Sequence, residues 1–197
     1  AEILARRGVA SGQELELKLK HLLAPTMKGL PEAIQLIDQA IDRGQKIVIV
    51  GDYDADGATS TALMVLALRD MGAKVDYLVP DRFKYGYGLT PAIADLAFVN
   101  FTPDLLITVD NGISSHDGVK QAQDHGMQVI ITDHHLTTTL TPEAEAVVNP
   151  NQLGCDFPSK ALAGVGVAFY VLANLSTHRK KLGKSTTSII NYLDLVA

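Results

Sequence analysis

Three short clusters of acidic and imidazole side chains stand out in the sequence. They are Gly51-Asp52-Tyr53-Asp54-Ala55-Asp56-Gly57, Asp110-Asn111-Gly112 and Asp133-His134-His135. Carboxylates with one or two imidazoles and no thiolate suit Mn²⁺ or Mg²⁺, with Zn²⁺ or Co²⁺ as substitutes. The five carboxylates of these clusters, drawn together without compensation, would repel one another until they protonated or the fold opened. Divalent cations remove that conflict. Two ions about 3.5–4 Å apart, joined by one carboxylate, can grip a phosphate and activate a water for in-line attack.

Each cluster also has a more ordinary reading. Asp52-x-Asp54-x-Asp56-Gly57 opens like a calcium-binding EF-hand loop, but Leu63 stands where that loop needs a Glu, and no helix precedes it. Strand-Asp54-x-Asp56-Gly57 is similar to the start of a haloacid-dehalogenase phosphatase, yet Ala58 replaces the expected Thr or Val, and Asp133-His134-His135 would have no use. Asp110-Asn111-Gly112 alone would be a tight turn, and a surface pair of His is seldom a ligand. Only convergence at one edge of a fold turns these odds around.

The intervening elements must supply that convergence. Short apolar, β-branched runs predict strands at 47–50, 75–79, 105–109, 129–131 and 146–148, with helices over 59–71, 91–99, 115–125, 161–175 and 188–196. Uninterrupted apolar strands alternating with helices indicate the α/β class: a parallel five-stranded sheet with helices on both faces. In such sheets ligands gather beyond the carboxyl ends of the strands, and each of the three clusters follows a strand. Gly57 is expected to free the backbone just before the helix at 59. Residues 1–45 form a short helical lead-in: Ser11 caps one helix, with Glu14 completing a capping box and Leu15, Leu17, Leu19, Leu22 and Leu23 apolar. A second helix runs from Pro31 to Gly44. The polar stretch 176–187 reads as a surface loop. Gly164-Val165-Gly166 has Phe169 where a dinucleotide fingerprint needs its third Gly, so these glycines are assigned to close helix packing.

Composition agrees with a globular domain: 47% hydrophobic, 20% charged, and a net charge of −5 that argues against coating nucleic acid by bulk electrostatics. Metal-held phosphates remain compatible with that charge. Cys155 is the single cysteine, which points to a reducing, cytoplasmic setting. No apolar run approaches the roughly 20 residues of a membrane span. The chain opens without Met and closes on Asp194-Leu195-Val196-Ala197 in mid-pattern, so it reads as part of a longer sequence.

Val48-Ile49-Val50-Gly51-Asp52-Tyr53-Asp54-Ala55-Asp56-Gly57, Thr108-Val109-Asp110-Asn111-Gly112-Ile113 and Thr132-Asp133-His134-His135 resemble the first three motifs of the DHH phosphoesterase superfamily. Asp81-Arg82-Phe83, Gly86-Tyr87-Gly88-Leu89, Val148-Asn149-Pro150-Asn151, the run from Phe157 to Phe169, and Tyr192 to Ala197 resemble its branch of single-strand-specific DNA exonucleases. That resemblance implies a metal-dependent phosphodiesterase releasing 5′-mononucleotides from single-stranded DNA, 5′→3′, in repair and recombination. It implies a two-metal site for Mn²⁺ or Mg²⁺ and single-stranded DNA as partner, with repair or replication proteins beside it. Asp54 would bind one ion, Asp56 and His134 the other, and Asp110 both. His135 would face the phosphate and, with Asp110, carry catalysis. Asp133, Asp52 and Asn111 would support from behind. Arg82, Gly86 and Tyr87 would contact substrate.

Two departures qualify it. Val50 stands where many members carry a His. The fourth motif, a further metal-binding Asp, would follow Ala197, and the DHH-associated domain beyond it is also outside the sequence. The division expected is therefore a lead-in over 1–45 and a DHH domain over 46–197 truncated before its fourth motif, weakly active or inactive alone. The same motifs also serve relatives that cleave oligoribonucleotides, cyclic dinucleotides or pyrophosphate, and non-catalytic scaffolds.

Overall fold

The computed structural model describes residues 2–12, 21–137 and 140–196. Five parallel strands form one sheet in the order β2-β1-β3-β4-β5. They are β1 (Lys46–Gly51), β2 (Lys74–Leu78), β3 (Leu105–Val109), β4 (Gln128–Thr132) and β5 (Ala146–Val148). Alternate residues of each strand feed opposite layers, as the pleat requires. Ile47, Ile49, Leu105, Ile107 and Ile130 enter one core, and Val48, Val50, Leu106, Val129 and Ile131 enter the other. The first core is covered by α2 (Leu30–Asp42), α3 (Ala55–Asp70), α7 (Gly164–Lys181) and a terminal 3₁₀ segment (Ile189–Leu195); the second is covered by α5 (Pro91–Phe101) and α6 (His116–Asp124). Both faces are thus dressed with helices, as the continuous apolar strands predict. Among the described residues no helix is long and apolar enough to cross a membrane.

Several expectations need correction. Helix α3 starts at Ala55, four residues before the predicted start, because the Asp54 side chain accepts the Gly57 amide at 2.9 Å and caps it. Gly57 therefore lies inside the first turn, and its missing side chain lets that turn sit against Asp52: a Cβ there would come 2.5 Å from the Asp52 carbonyl oxygen. A short helix missed in the sequence, α4 (Arg82–Tyr85), is capped by Asp81 through the Phe83 amide.

Helix α7 begins at Gly164, not 161, and runs on to Lys181. Half of the supposed surface loop 176–187 is therefore helix. Arg179 within it is 3% exposed, paired to Asp38 and Asp42 of α2, with Lys184 on the same two acids. The last predicted helix is a kinked 3₁₀ segment. In the lead-in, α1 (Glu2–Arg6) is a single exposed turn and a half. The capped helix proposed from Ser11 rests on Glu14, Leu15, Leu17 and Leu19, which lie outside the described residues, while Leu22 and Leu23 are exposed and non-helical.

Candidate metal centre

Because the strands are parallel, β1, β3 and β4 end at one edge and deliver Asp52, Asp110 and Asp133 there directly. Side-chain atoms of Asp110, His134 and His135 lie within 4.8 Å of one another, the arrangement a cation needs. His134 Nε2 is 3.1 Å from Asp110 Oδ1 and 3.6 Å from Asp56 Oδ2. His134, which follows β4, thus lies within reach of both Asp110 beyond β3 and Asp56 in the first turn of α3.

Asp110 is the focus of electrostatic conflict. It is 2% exposed, and its Oδ1 accepts no hydrogen bond, for the short approach of His134 Nε2 lacks hydrogen-bond alignment. Burial, reinforced by the neighbouring Asp56 and Asp54, pushes its carboxyl up to about 8. Its backbone also sits in the left-handed region at φ 60°, uncommon for a residue with a side chain. An acid that is dry, without a hydrogen bond at Oδ1 and flanked by acids fits a site for a positive ion. The donor set of carboxylates and imidazole fits the same group.

Behind this point the supports are complete. Asp133, 1% exposed, accepts from the backbone amides of Ile113, His134 and His135 and from His135 Nδ1 at 2.7 Å. Burial alone would raise its carboxyl, but these bonds together hold it below the ordinary range, and the same contact raises His135. With Nδ1 committed to Asp133, His135 turns Nε2 outward to the Tyr87 hydroxyl, 3.4 Å away. Asn111 spends its amide on the carbonyls of Val50 and Val109, tying β1 to β3 and touching no other site residue's side chain through it.

Asp52 and Arg82 form a second group. Arg82 Nη2 reaches both oxygens of Asp52 at 2.7 and 2.8 Å, and the guanidinium carbon lies 4.0 Å over the Tyr53 ring and 5.3 Å from that of Tyr87. Arg82 Nε is buried without a partner. A small crevice here is lined by Asp52, Arg82, Gly86, Tyr87 and Asn111. It adjoins a cleft of about 180 Å³ bounded by Tyr87, Ile113, Ser115, His135 and Leu136.

Sequence reasoning passed over three contributors. Tyr53 stacks on Arg82. Asn149 and Asn151 brace the carbonyls of His135 and His134, and the Asn-Pro-Asn turn after β5 was the available signal. The amides of Gly164 and Val165 hold Asp56. Gly164 does not serve helix packing as expected: a Cβ there would meet the Asp110 carboxylate at 2.5 Å, and one at Gly166 would meet the Leu162 side chain.

Residues 46–197 match the family model described as "DHH family, N-terminal domain". Across 99% of its length the chain is 48% identical to the single-stranded-DNA-specific exonuclease RecJ of Escherichia coli, of which it spans 35%. It is 38% identical to RecJ of Thermus thermophilus over 97% of its length, spanning 27% of that protein. The crystal structure of Thermus thermophilus RecJ in complex with Mn²⁺ superposes with a TM-score of 0.77 at 33% identity, covering 98% of this chain and 26% of that one. A structure of exonuclease RecJ bound to manganese gives 0.75 at 36% identity, covering 89% of this chain and 43% of that one. The chain spans about a third of the length of the enterobacterial RecJ relatives it matches. With the sequence model, the close relatives and the shared sheet in agreement, the chain belongs to the DHH family.

Proposed function

We propose that the protein is a metal-dependent 5′→3′ exonuclease that releases 5′-mononucleotides from single-stranded DNA in repair and recombination, with Mn²⁺ or Mg²⁺ as cofactor. The observation that carries this reading is the buried, donorless Asp110 facing His134 and Asp56 at the carboxyl edge of the sheet. The relatives support it, since those named single-stranded-DNA-specific exonucleases include ones solved with manganese. We place the catalytic residues in the segment 46–197, with 1–45 as a lead-in whose helix α2 covers one face, and the protein in the cytoplasm, in keeping with the unpaired Cys155.

In this reading Asp54 would hold one cation, Asp56 with His134 would hold the other, and Asp110 would serve both. Bound cations supply positive charge for the phosphate and a more acidic water. The chain's own residues do the rest. Asp133 fixes the His135 ring with Nε2 toward the cleft, where it meets a phosphate oxygen whose charge grows during cleavage. Asp52 and Tyr53 keep the Arg82 guanidinium flat and oriented, leaving its remaining N–H groups for substrate beside Gly86 and Tyr87. Asn111 keeps β1 and β3 in register at their tips.

The test uses the full-length protein with Mn²⁺ and single strands labelled at the 5′ end. Release of labelled mononucleotides from the first seconds is the expected result. Degradation of duplex alone, attack from the 3′ end alone, or a strong preference for dinucleotides over long strands would each overturn the substrate assignment.

A further inference from the structure

We propose that the start of α7 is a positioning device for the metal centre: the main-chain amides of Gly164 and Val165 clamp Asp56, and the absent side chain of Gly164 leaves the space in which Asp110 stands. The proposal rests on the metal-centre reading above.

The clamp is explicit in the geometry. The Gly164 amide donates to Asp56 Oδ2 at 2.8 Å, and the Val165 amide donates to Oδ1 at 2.7 Å, across 108 and 109 residues of sequence. Amides in the first turn of a helix have no partner within it, and they carry the positive end of its dipole. Here they belong to an 18-residue helix. Asp56 therefore has both oxygens fixed by charge-assisted bonds before any cation arrives. A carboxylate held at both oxygens in this way keeps one lone pair on each for a cation. The oxygen turned to the site is Oδ2, the one 3.6 Å from His134 Nε2.

Asp110 is treated in the opposite way. Its Oδ1 is buried and has no donor. Besides His134 Nε2 at 3.1 Å, the chain brings the bare α-carbon of Gly164 toward it. A Cβ at 164 would stand 2.5 Å from Asp110 Oδ1 and 2.8 Å from its Cβ and Cγ. Asp110 is already in a left-handed backbone conformation, so it has little freedom to retreat. Any side chain at 164 must displace Asp110 or lift the end of α7, which would carry both amides away from Asp56. One acid is thus satisfied by the protein and the other is left for the cation, and a single glycine sets both conditions. Gly166 differs, for a Cβ there would meet only the movable Leu162 side chain.

Two measurements on the full-length protein test this. In EDTA, Asp56→Asn should lower the melting temperature relative to wild type, because an amide NH₂ would face one of the two N–H donors. A rise would overturn the proposal, since it would mean that Asp56 is merely a repelled acid whose removal relieves the cluster. With Mn²⁺ alone, followed by calorimetry or electron paramagnetic resonance, Gly164→Ala should weaken binding roughly 10- to 100-fold, the range for residues that orient metal ligands, and Gly166→Ala should bind as wild type does. Wild-type affinity in Gly164→Ala, or an equal loss in Gly166→Ala, would overturn it. Should Gly164→Ala fail to fold, the Asp56→Asn melt decides alone. Wild-type protein that takes up no Mn²⁺ would overturn the metal-centre reading instead, and the metal-free melt would still report on the clamp.

Discussion

Replacing Asp110 by Asn should make the metal-free protein more stable while removing its ability to bind Mn²⁺. The carboxyl of Asp110 is raised from 3.8 to about 8 by burial and by Asp56 and Asp54. At pH 7 the unfolded carboxylate is ionised, and folding must either protonate this group or bury its charge. Each tenfold in proton affinity is worth about 1.4 kcal/mol, so the cost at pH 7 is at most about 4 kcal/mol. Asn keeps the shape, carries no charge and tolerates the left-handed backbone at this position. The sign follows from linkage. A folded carboxyl raised above its unfolded value destabilises the protein increasingly from near pH 4 up to about pH 8. The gain from Asp110→Asn should therefore be small at pH 4 and reach a few kcal/mol at pH 7. Urea titrations in EDTA, followed by circular dichroism at both pH values, would measure it. No gain at pH 7, or an equal gain at pH 4, would refute the claim that Asp110 is a stressed acid waiting for a cation.

Other outcomes follow from neighbouring features. Asp110→Ala should abolish Mn²⁺ uptake, whereas His135→Ala should keep uptake and lose turnover; calorimetry beside a nuclease assay separates the two, and equal loss of metal would contradict the roles given. Arg179→Met should cost about 3 kcal/mol in urea unfolding, because Asp38 would stay buried with Lys184 as its remaining strong partner, while Mn²⁺ affinity stays unchanged. Gly118→Ala would ordinarily stabilise a helix by about 1 kcal/mol. Here its methyl would fall 1.8 Å from the Leu89 carbonyl oxygen, so a loss of about 3 kcal/mol is expected, measurable in the same titration.

The sheet could be read from sequence because its causes are local. Ile47 to Val50 is apolar throughout and Leu105 to Val109 is apolar but for Thr108, the kind of run a strand covered on both sides uses. The convergence of Asp56, Asp110 and His134 could be read for a related reason: parallel strands put their ends on one edge, whatever the details of packing. What escaped depends on partners far away in the chain. Residues 176–181 look like loop by composition, yet they are helical because α7 packs on α2 and α3, and Arg179 finds Asp38 there. Asp52 reads as a support from behind, and no local pattern names its partner, Arg82, thirty residues on. No local pattern announces that Asp56 is held by amides beyond residue 160.

Helix α2 carries a practical consequence. The family's sequence model begins at Lys46, where the first strand begins. Ala33, Ile37 and Ala40 nevertheless belong to the same apolar layer as Leu172 and Leu175, and Asp38 answers Arg179. A polypeptide trimmed to the boundary of the family model would strip that layer of its cover and strand a buried guanidinium beside Lys184. Expression should therefore begin upstream of Leu30 rather than at the first recognisable motif.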